Sequence, residues 1–308
     1  MNNYFQTTLA KPVTFKGIGL HSGLDSEVKI LPAKENTGVV FKRVDLKENN
    51  LIKANYQNVS SAILCTTLKN SAGVQVSTVE HLLAALYIAQ IDNVLIEINT
   101  KEVPIMDGSA KDFLDTFKKT EIQSLSVKRN FLKVLEKVEL IEGNRNISIE
   151  PFDNSLEIEF NLNYENKVIG RQKNTINFDK DDLADVSASR TFCLFKDIEK
   201  IKKAGLAKGG SLDNALVVDD KKVLNKNGLR NNKEFVNHKI LDLVGDFMLS
   251  GYRILGKVKC NQGGHKLTNL FLRKLLEKSY IQENRVIKSI NLSKKYNIQT
   301  PLKIAFNA

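Results

Sequence analysis

The sequence predicts an α+β fold of two domains, each a sheet packed against helices, and three observations carry that reading. In each half, stretches of strand-like alternation come first and helical periodicity follows. The 308 residues are about twice a common domain length. The polar stretch "KKTEIQSLSVKRN" falls between the halves and places the boundary near residues 120–130, giving domains 1–125 and 126–308.

In the first half, "SEVKILPA" and "GVVFKRVD" alternate as strands with one buried face, and "NVLIEI" reads as a buried strand. Between them "TVEHLLAAL" predicts a helix from about Thr78 to Gln90, with Glu80 at the positive end of its dipole. Asp107-Gly108 in "VPIMDGSA" marks a turn, and Ser109 is placed to cap a helix through "KDFLDTFKK". The second half has strands in "FLKVLEKVELI", "NISIEPF" and "SLEIEFNLN". "FCLFKDIEKIKKAGLAKGGSLDNALVV" then reads as a helix, a Gly-Gly-Ser break and a strand, with Phe195, Ile198, Ile201 and Leu206 as ordinary core packing. A long helix from about Asn231 to Ser250 carries "FVNHKILDLVGDFML"; a strand "RILGKVKC" and a last helix from near His265 complete the order.

Composition narrows the function classes. No apolar run reaches the roughly 18 residues that span a bilayer, and "MNNYFQTTLAKPV" lacks a signal pattern, so a cytoplasmic protein is expected. Cys65, Cys193 and Cys260 show no CxxC spacing, which argues against a disulfide framework or a thiolate zinc knuckle; Cys65 in "ILCTTL" reads as a buried, inert thiol. The formal charge is +11, and from Lys257 onward eleven cations face two acids, an excess of +9. A basic segment of that kind suits an anionic membrane surface, nucleic acid or a phosphorylated substrate, a plain solvated basic face explains it at least as well, and no aromatic-interleaved basic motif supports nucleic-acid recognition.

Among four histidines, His238 shares "HKILD" with Asp242. Four residues apart on a helix, the two side chains lie on one face and can offer a nitrogen and an oxygen to one ion; a helix-surface hydrogen bond explains the pair equally. A catalytic zinc takes three such ligands. His81 is a candidate for the third, with Glu80 beside it rather than on the ion, and ligands from both halves would put the metal at the interdomain cleft. His265 follows Gly263 and Gly264 at a helix start, where Asp246 is placed to hydrogen-bond it. Thr191 and Phe192 end the polar loop "SASRTF", and His21 in "GIGLHSG" reads as structural.

Assembled in order, "GIGLHSG", "STVEHLLAAL", "VPIMDGSA", "SRTF", "GLAKGGSLDNALVVDD", "NHKILDLVGD" and "GGHKLTN" resemble the UDP-3-O-acyl-N-acetylglucosamine deacetylases, zinc amidases of lipid A biosynthesis in Gram-negative bacteria, over nearly the whole chain. Gly263-Gly264-His265 departs from the family's usual Ser-Gly-His. The resemblance implies two similar two-layer sandwiches, each with a small insert. It also implies zinc, or ferrous iron on the same donors, held by His81, His238 and Asp242. Glu80 would then be the general base, Thr191 an oxyanion contact, and His265, kept cationic by Asp246, the acid or electrostatic partner. Lys239 and Phe192 match substrate contacts, and Arg145 falls near a diphosphate-binding position. The segment 193–215 matches an insert around the acyl chain, with Ile198, Gly210 and Ser211 lining it. A monomer acting on an acylated UDP-amino sugar is expected, with peripheral contact to an anionic membrane surface and no nucleic-acid partner. The rival reading, a basic nucleic-acid-binding protein, leaves the joint occurrence of Glu80, His81, His238, Asp242 and His265 without a purpose.

Overall fold

The computed structural model describes residues 4–152, 155–283, 286–287 and 304–307, with side chains up to residue 277. The fold is α+β. In the first half one sheet runs in the order Val13–Ile18, Asp25–Pro32, Val94–Ile98, Val39–Arg43, Leu51–Lys53. Its alternation is direct: Ser26, Val28 and Ile30 are buried while Asp25 and Lys29 face out. A smaller sheet of Val59–Ser61, Thr67–Lys69 and Gln75–Val76 lies off this one.

The second-half sheet is built on the long strand Arg253–Asn261. Its start pairs with Phe131–Val134, while its remainder pairs with Arg145–Glu150 on one side and Leu156–Asn163 on the other. "FLKVLEKVELI" is two strands, Phe131–Val134 and Val138–Glu142, rather than one. The polar stretch between the halves is itself structured: Ile122–Lys128 is a strand, paired antiparallel with Phe5–Leu9 across the expected boundary. Its pairing comes from the backbone, which polar side chains do not prevent, so the composition of the segment gave no signal for it.

The helices are α1 (Glu80–Ile88), α2 (Lys111–Lys118), α3 (Ala184–Ser187), α4 (Phe195–Lys203), α5 (Glu234–Met248) and α6 (His265–Glu283). Helix α1 is buried from Glu80 through Tyr87, which explains an apolar run with no polar face. It packs on α5, and α5 in turn packs on α6 and on Leu156–Asn163. The close approach of α1 and α5 depends on Gly245, where a Cβ would overlap the carbonyl of Glu80. The apolar residues of both halves, from Val28 and Phe41 through Leu82 and Leu86 to Phe247 and Phe271, form one continuous core.

Of the eleven cations counted from Lys257 onward, the described side chains are Lys257, Lys259, Lys266, Arg273 and Lys274, and each has a partner. Three form ion pairs with Glu157, Glu150 and Glu142; Arg273 and Lys274 donate to the carbonyls of Tyr56 and Glu139. The others, Lys278, Arg285, Lys288, Lys294, Lys295 and Lys303, lie outside the described side chains. No helix among the described residues is long and apolar enough to cross a membrane.

Candidate functional site

The packing of α1 on α5 brings the chemistry-bearing residues of the two halves together. Ligand atoms of His81, His238 and Asp242 all lie within 4.8 Å of one another, and all three residues are buried. His81 Nε2 is 3.5 Å and His238 Nε2 is 3.4 Å from Asp242 Oδ1. That oxygen is buried and accepts no hydrogen bond among the described residues. A buried carboxylate oxygen without a donor, facing two imidazole nitrogens, is costly unless a cation completes the group.

Two further contacts fit this donor set to a metal. His238 Nδ1–H donates to the Ser189 carbonyl at 3.1 Å, which fixes the ring's tautomer and leaves the Nε2 lone pair directed at the cluster. Burial drives the His238 pKa down to about 3 against the pull of Asp242, so the ring is neutral, as a ligand must be. Burial alone would raise the Asp242 carboxyl; His238 and Lys239 more than offset it and hold it well below the usual carboxylate range. Lys239 Nζ donates to Asp242 Oδ2 at 2.7 Å and lies over the Phe192 ring. It thus touches the cluster as well as the cleft beside it.

Glu80, adjacent to His81 but about 100° around the helix, does not join that three-residue group. Its Oε2 accepts the Thr66 N–H at 3.0 Å, and its Oε1 is 3.8 Å from His265 Nε2. Burial raises its pKa, with His265 and His81 opposing. His265 sits at the start of α6, where its Nδ1–H donates to Asp246 Oδ2 at 2.8 Å. Burial would lower its pKa, but Asp246 and Glu80 prevail and lift it to about 10, so the ring is cationic at neutral pH. Asp246 Oδ1 accepts the Thr66 hydroxyl at 2.6 Å. Thr66 therefore grips the acidic partner of His265 with its side chain and Glu80 with its backbone. Cys65, next to it, is a buried thiol whose pKa burial pushes up to about 12.

The "SRTF" loop is held from beneath by the first turn of α5. Glu234, fully buried, accepts from Arg190 Nε at 2.7 Å, from the Arg190 N–H at 3.1 Å and from the Arg230 N–H at 2.6 Å. This pair sets Ser189 against His238 and places Thr191 at the cleft. Thr191 N–H donates to the Gly108 carbonyl at 2.7 Å. Gly108 has φ +87°, and a Cβ there would strike the Asn214 carbonyl, so "MDGSA" needs its glycine to dock on the second half. Ser109 accepts the Lys111 N–H at 3.1 Å, but it does not cap α2 as the sequence suggests: the N-cap is Ala110, which makes no side-chain cap bond, and Ser109 lies one residue before it.

Two cavities meet at this point. One, about 590 Å³ and mainly polar, is lined by Glu80, His81, His238, Lys239, Asp242 and His265, with Arg145 and Lys266 farther out. The other, about 410 Å³ and apolar, lies under α4 and is lined by Phe195, Ile198, Ile201, Gly210, Ser211 and Leu212. Thr191 and Phe192 line both. The site residues singled out from sequence thus line one or the other of these cavities, except Asp246, which lies behind His265 and reaches the cleft through it. Sequence reasoning misses Thr66, Arg190, Glu234 and Gly245: Thr66 and Gly245 act through contacts between distant segments, and only the "SRTF" motif hints at Arg190.

A sequence profile described as LpxC, UDP-3-O-acyl N-acetylglycosamine deacetylase, matches residues 6–277. The chain is 43% identical over 274 residues to the UDP-3-O-acyl-N-acetylglucosamine deacetylase of Pseudoalteromonas translucida (strain TAC 125), covering 88% of this chain and 90% of that one. It is 42% identical over 276 residues to the protein of the same name from Geotalea uraniireducens (strain Rf4), with 89% of each covered. For the namesake from Histophilus somni (strain 129Pt) the identity is 40% over 275 residues, covering 88% of this chain and 90% of that one.

Proposed function

The chain belongs to the UDP-3-O-acyl N-acetylglycosamine deacetylase family, and from that premise we propose that it hydrolyses the 2-acetamido group of UDP-3-O-acyl-N-acetylglucosamine with a metal held by His81, His238 and Asp242. The products are acetate and the free amine, which commits the sugar to lipid A biosynthesis. The observation that carries the metal-dependent reading is the buried Asp242 Oδ1 facing two imidazole nitrogens with no hydrogen-bond donor. Zinc bound there would supply Lewis acidity at the amide carbonyl and would lower the pKa of a bound water, and ferrous iron would suit the same donors.

The remaining work falls to the chain's own groups. Glu80, held by the Thr66 N–H, takes the proton of the attacking water on its free oxygen. The Thr191 hydroxyl stabilises the negative charge that gathers on the former carbonyl oxygen. The departing nitrogen must be protonated, and His265 Nε2–H, cationic through Asp246 and close to Glu80, is placed to give that proton. Lys239 and Arg145 bring positive charge to a cleft suited to a nucleotide diphosphate, with Phe192 packing on the sugar side. The acyl chain enters the apolar cavity past Ile198, Gly210 and Ser211.

Acetate release from the acylated UDP-sugar tests the reading. Wild type should release acetate, lose the activity on chelation and regain it with zinc. Glu80→Ala should fall about 10²–10⁴-fold, the range for a lost general base, while keeping its metal. Chelation without effect would remove the metal from the mechanism.

A further inference from the structure

Glu102 belongs to none of the groups above, yet it is 1% exposed and its carboxylate accepts three hydrogen bonds from two separate segments. Oε1 accepts the His21 N–H at 2.8 Å and the Thr78 hydroxyl at 2.9 Å; Oε2 accepts the Ser22 N–H at 2.7 Å. Gly19 lies so close that a Cβ there would come within 2.5 Å of Oε2. The carboxylate is therefore enclosed and both oxygens are committed.

The two segments lead to different parts of the site. Thr78 lies two residues before the start of α1, next to its N-cap Val79. It has φ +56°, in the left-handed region that a β-branched residue rarely adopts, and the N-cap Val79 supplies no side-chain cap. The bond to Glu102 thus holds a strained residue two positions before Glu80. The other segment is the turn Gly19–Gly23, which grips the acyl-side loop of the second half. Leu20 and His21 carbonyls accept the Gly209 and Lys208 N–H groups at 3.0 and 3.3 Å, and His21 Nδ1 accepts the Ala207 N–H at 3.4 Å. Leu20 and His21 line the apolar cavity, while Leu20 and Thr78 line the polar one.

We propose that Glu102 is a positioning residue that couples filling of the apolar cavity to the aim of Glu80. A chain in the cavity braces the turn Gly19–Gly23, the turn braces the Glu102 carboxylate, and the carboxylate fixes Thr78 and hence the first turn of α1. Contacts with a remote part of a substrate then serve turnover and not only binding. The inference rests on the proposed deacetylase reading.

The test compares kcat and KM for a long-acyl and a short-acyl UDP-sugar, using the metal-loaded enzyme with bound metal measured in each variant. Wild type should show a higher kcat with the long chain. Glu102→Ala should lose about tenfold in kcat with the long chain and little with the short one, so the ratio collapses while metal content holds. Thr78→Ala should reproduce this loss, and Thr78→Ser, which retains the hydroxyl, should keep the wild-type ratio. If Glu102→Ala does not fold, Glu102→Gln and the two Thr78 variants carry the comparison. Equal losses on both substrates would mark a merely structural role, and a wild-type kcat indifferent to chain length, or an intact ratio in Thr78→Ala, would equally overturn the proposal. Failure of wild type to release acetate from either sugar would instead overturn the deacetylase reading itself.

Discussion

Thr66 donates two hydrogen bonds, its N–H to Glu80 Oε2 at 3.0 Å and its hydroxyl to Asp246 Oδ1 at 2.6 Å. Thr66→Val keeps the first and removes the second, in nearly the same volume. A hydrogen bond to a charged group contributes about 1.5–3 kcal/mol, and part of that loss should appear at His265, whose charge Asp246 sustains. The expected outcome is a fall in kcat of about tenfold or more with unchanged bound metal; a fall in metal content would show instead that Asp242 had been disturbed. At this scale "TVEHLLAAL" was legible, since an acid beside a histidine at a helix start points them in different directions. Thr66 was not, because what it touches lies 14 and 180 residues away.

His265 and Asp246 also join two elements, the start of α6 and the body of α5. Burial opposes the charge on His265, but Asp246 and Glu80 raise its pKa from 6.5 to about 10. A folded-state pKa above the unfolded one gives stability that is full below about 6.5 and is lost as pH rises through about 10. Asp246→Asn removes the main support for that charge. The melting temperature of metal-free Asp246→Asn should therefore lie farthest below wild type near pH 6, and the gap should narrow toward pH 10. A gap that widens with pH would contradict the assignment of His265 as the cation.

Gly245 carries the corresponding argument between α1 and α5. A Cβ at this position would overlap the Glu80 carbonyl, so Gly245→Ala must push the first turn of α1 away from His238 and Asp242. Overpacking of this kind costs about 1–3 kcal/mol. Because the displaced residues include the proposed ligand His81 and the proposed base Glu80, metal affinity and kcat should fall together, measured by metal titration and acetate release. In the sequence this residue is one glycine inside a helical pattern, where it signals only weak propensity. The approach of a second helix has no local signature. The strand Ile122–Lys128 was hidden for a related reason: its partner Phe5–Leu9 lies at the other end of the first half.

For the whole molecule, the motifs of the first half are the surfaces on which the second half is seated. "GIGLHSG" meets Ala207–Gly209, "MDGSA" meets Thr191 and Asn214, and α1 meets Gly245. These are contacts between distant segments, which is why composition alone suggested only sheets followed by helices. The expected contact with an anionic membrane drew on the basic end, but its five described cations are all engaged within the fold. Three of them are paired with carboxylates and two donate to carbonyls, which leaves their charge in place, so charge counted along a chain does not reveal how much of it is balanced locally.

The apolar cavity is where the proposed function places the choice of acyl chain. Its floor is an exchange between the halves: Leu20 from the first faces Ala207 and Gly210 from the second. Gly210 has ordinary backbone geometry, and a Cβ on it would sit 3.3 Å from the Ala207 carbonyl and 3.6 Å from Leu20 Cδ1. The first carbon is thus accommodated with a small adjustment, but the branches of a valine have to project into the cavity. Gly210→Val should therefore fold with near-wild-type stability and retain turnover of a short-acyl UDP-sugar, while KM for a long-acyl one rises about tenfold, equivalent to about 1.4 kcal/mol and the loss of about two buried methylenes. Comparing KM across an acyl series reads this directly. If long and short chains suffer alike, the obstruction lies at the mouth shared with the polar cleft, and the chain does not pass Gly210.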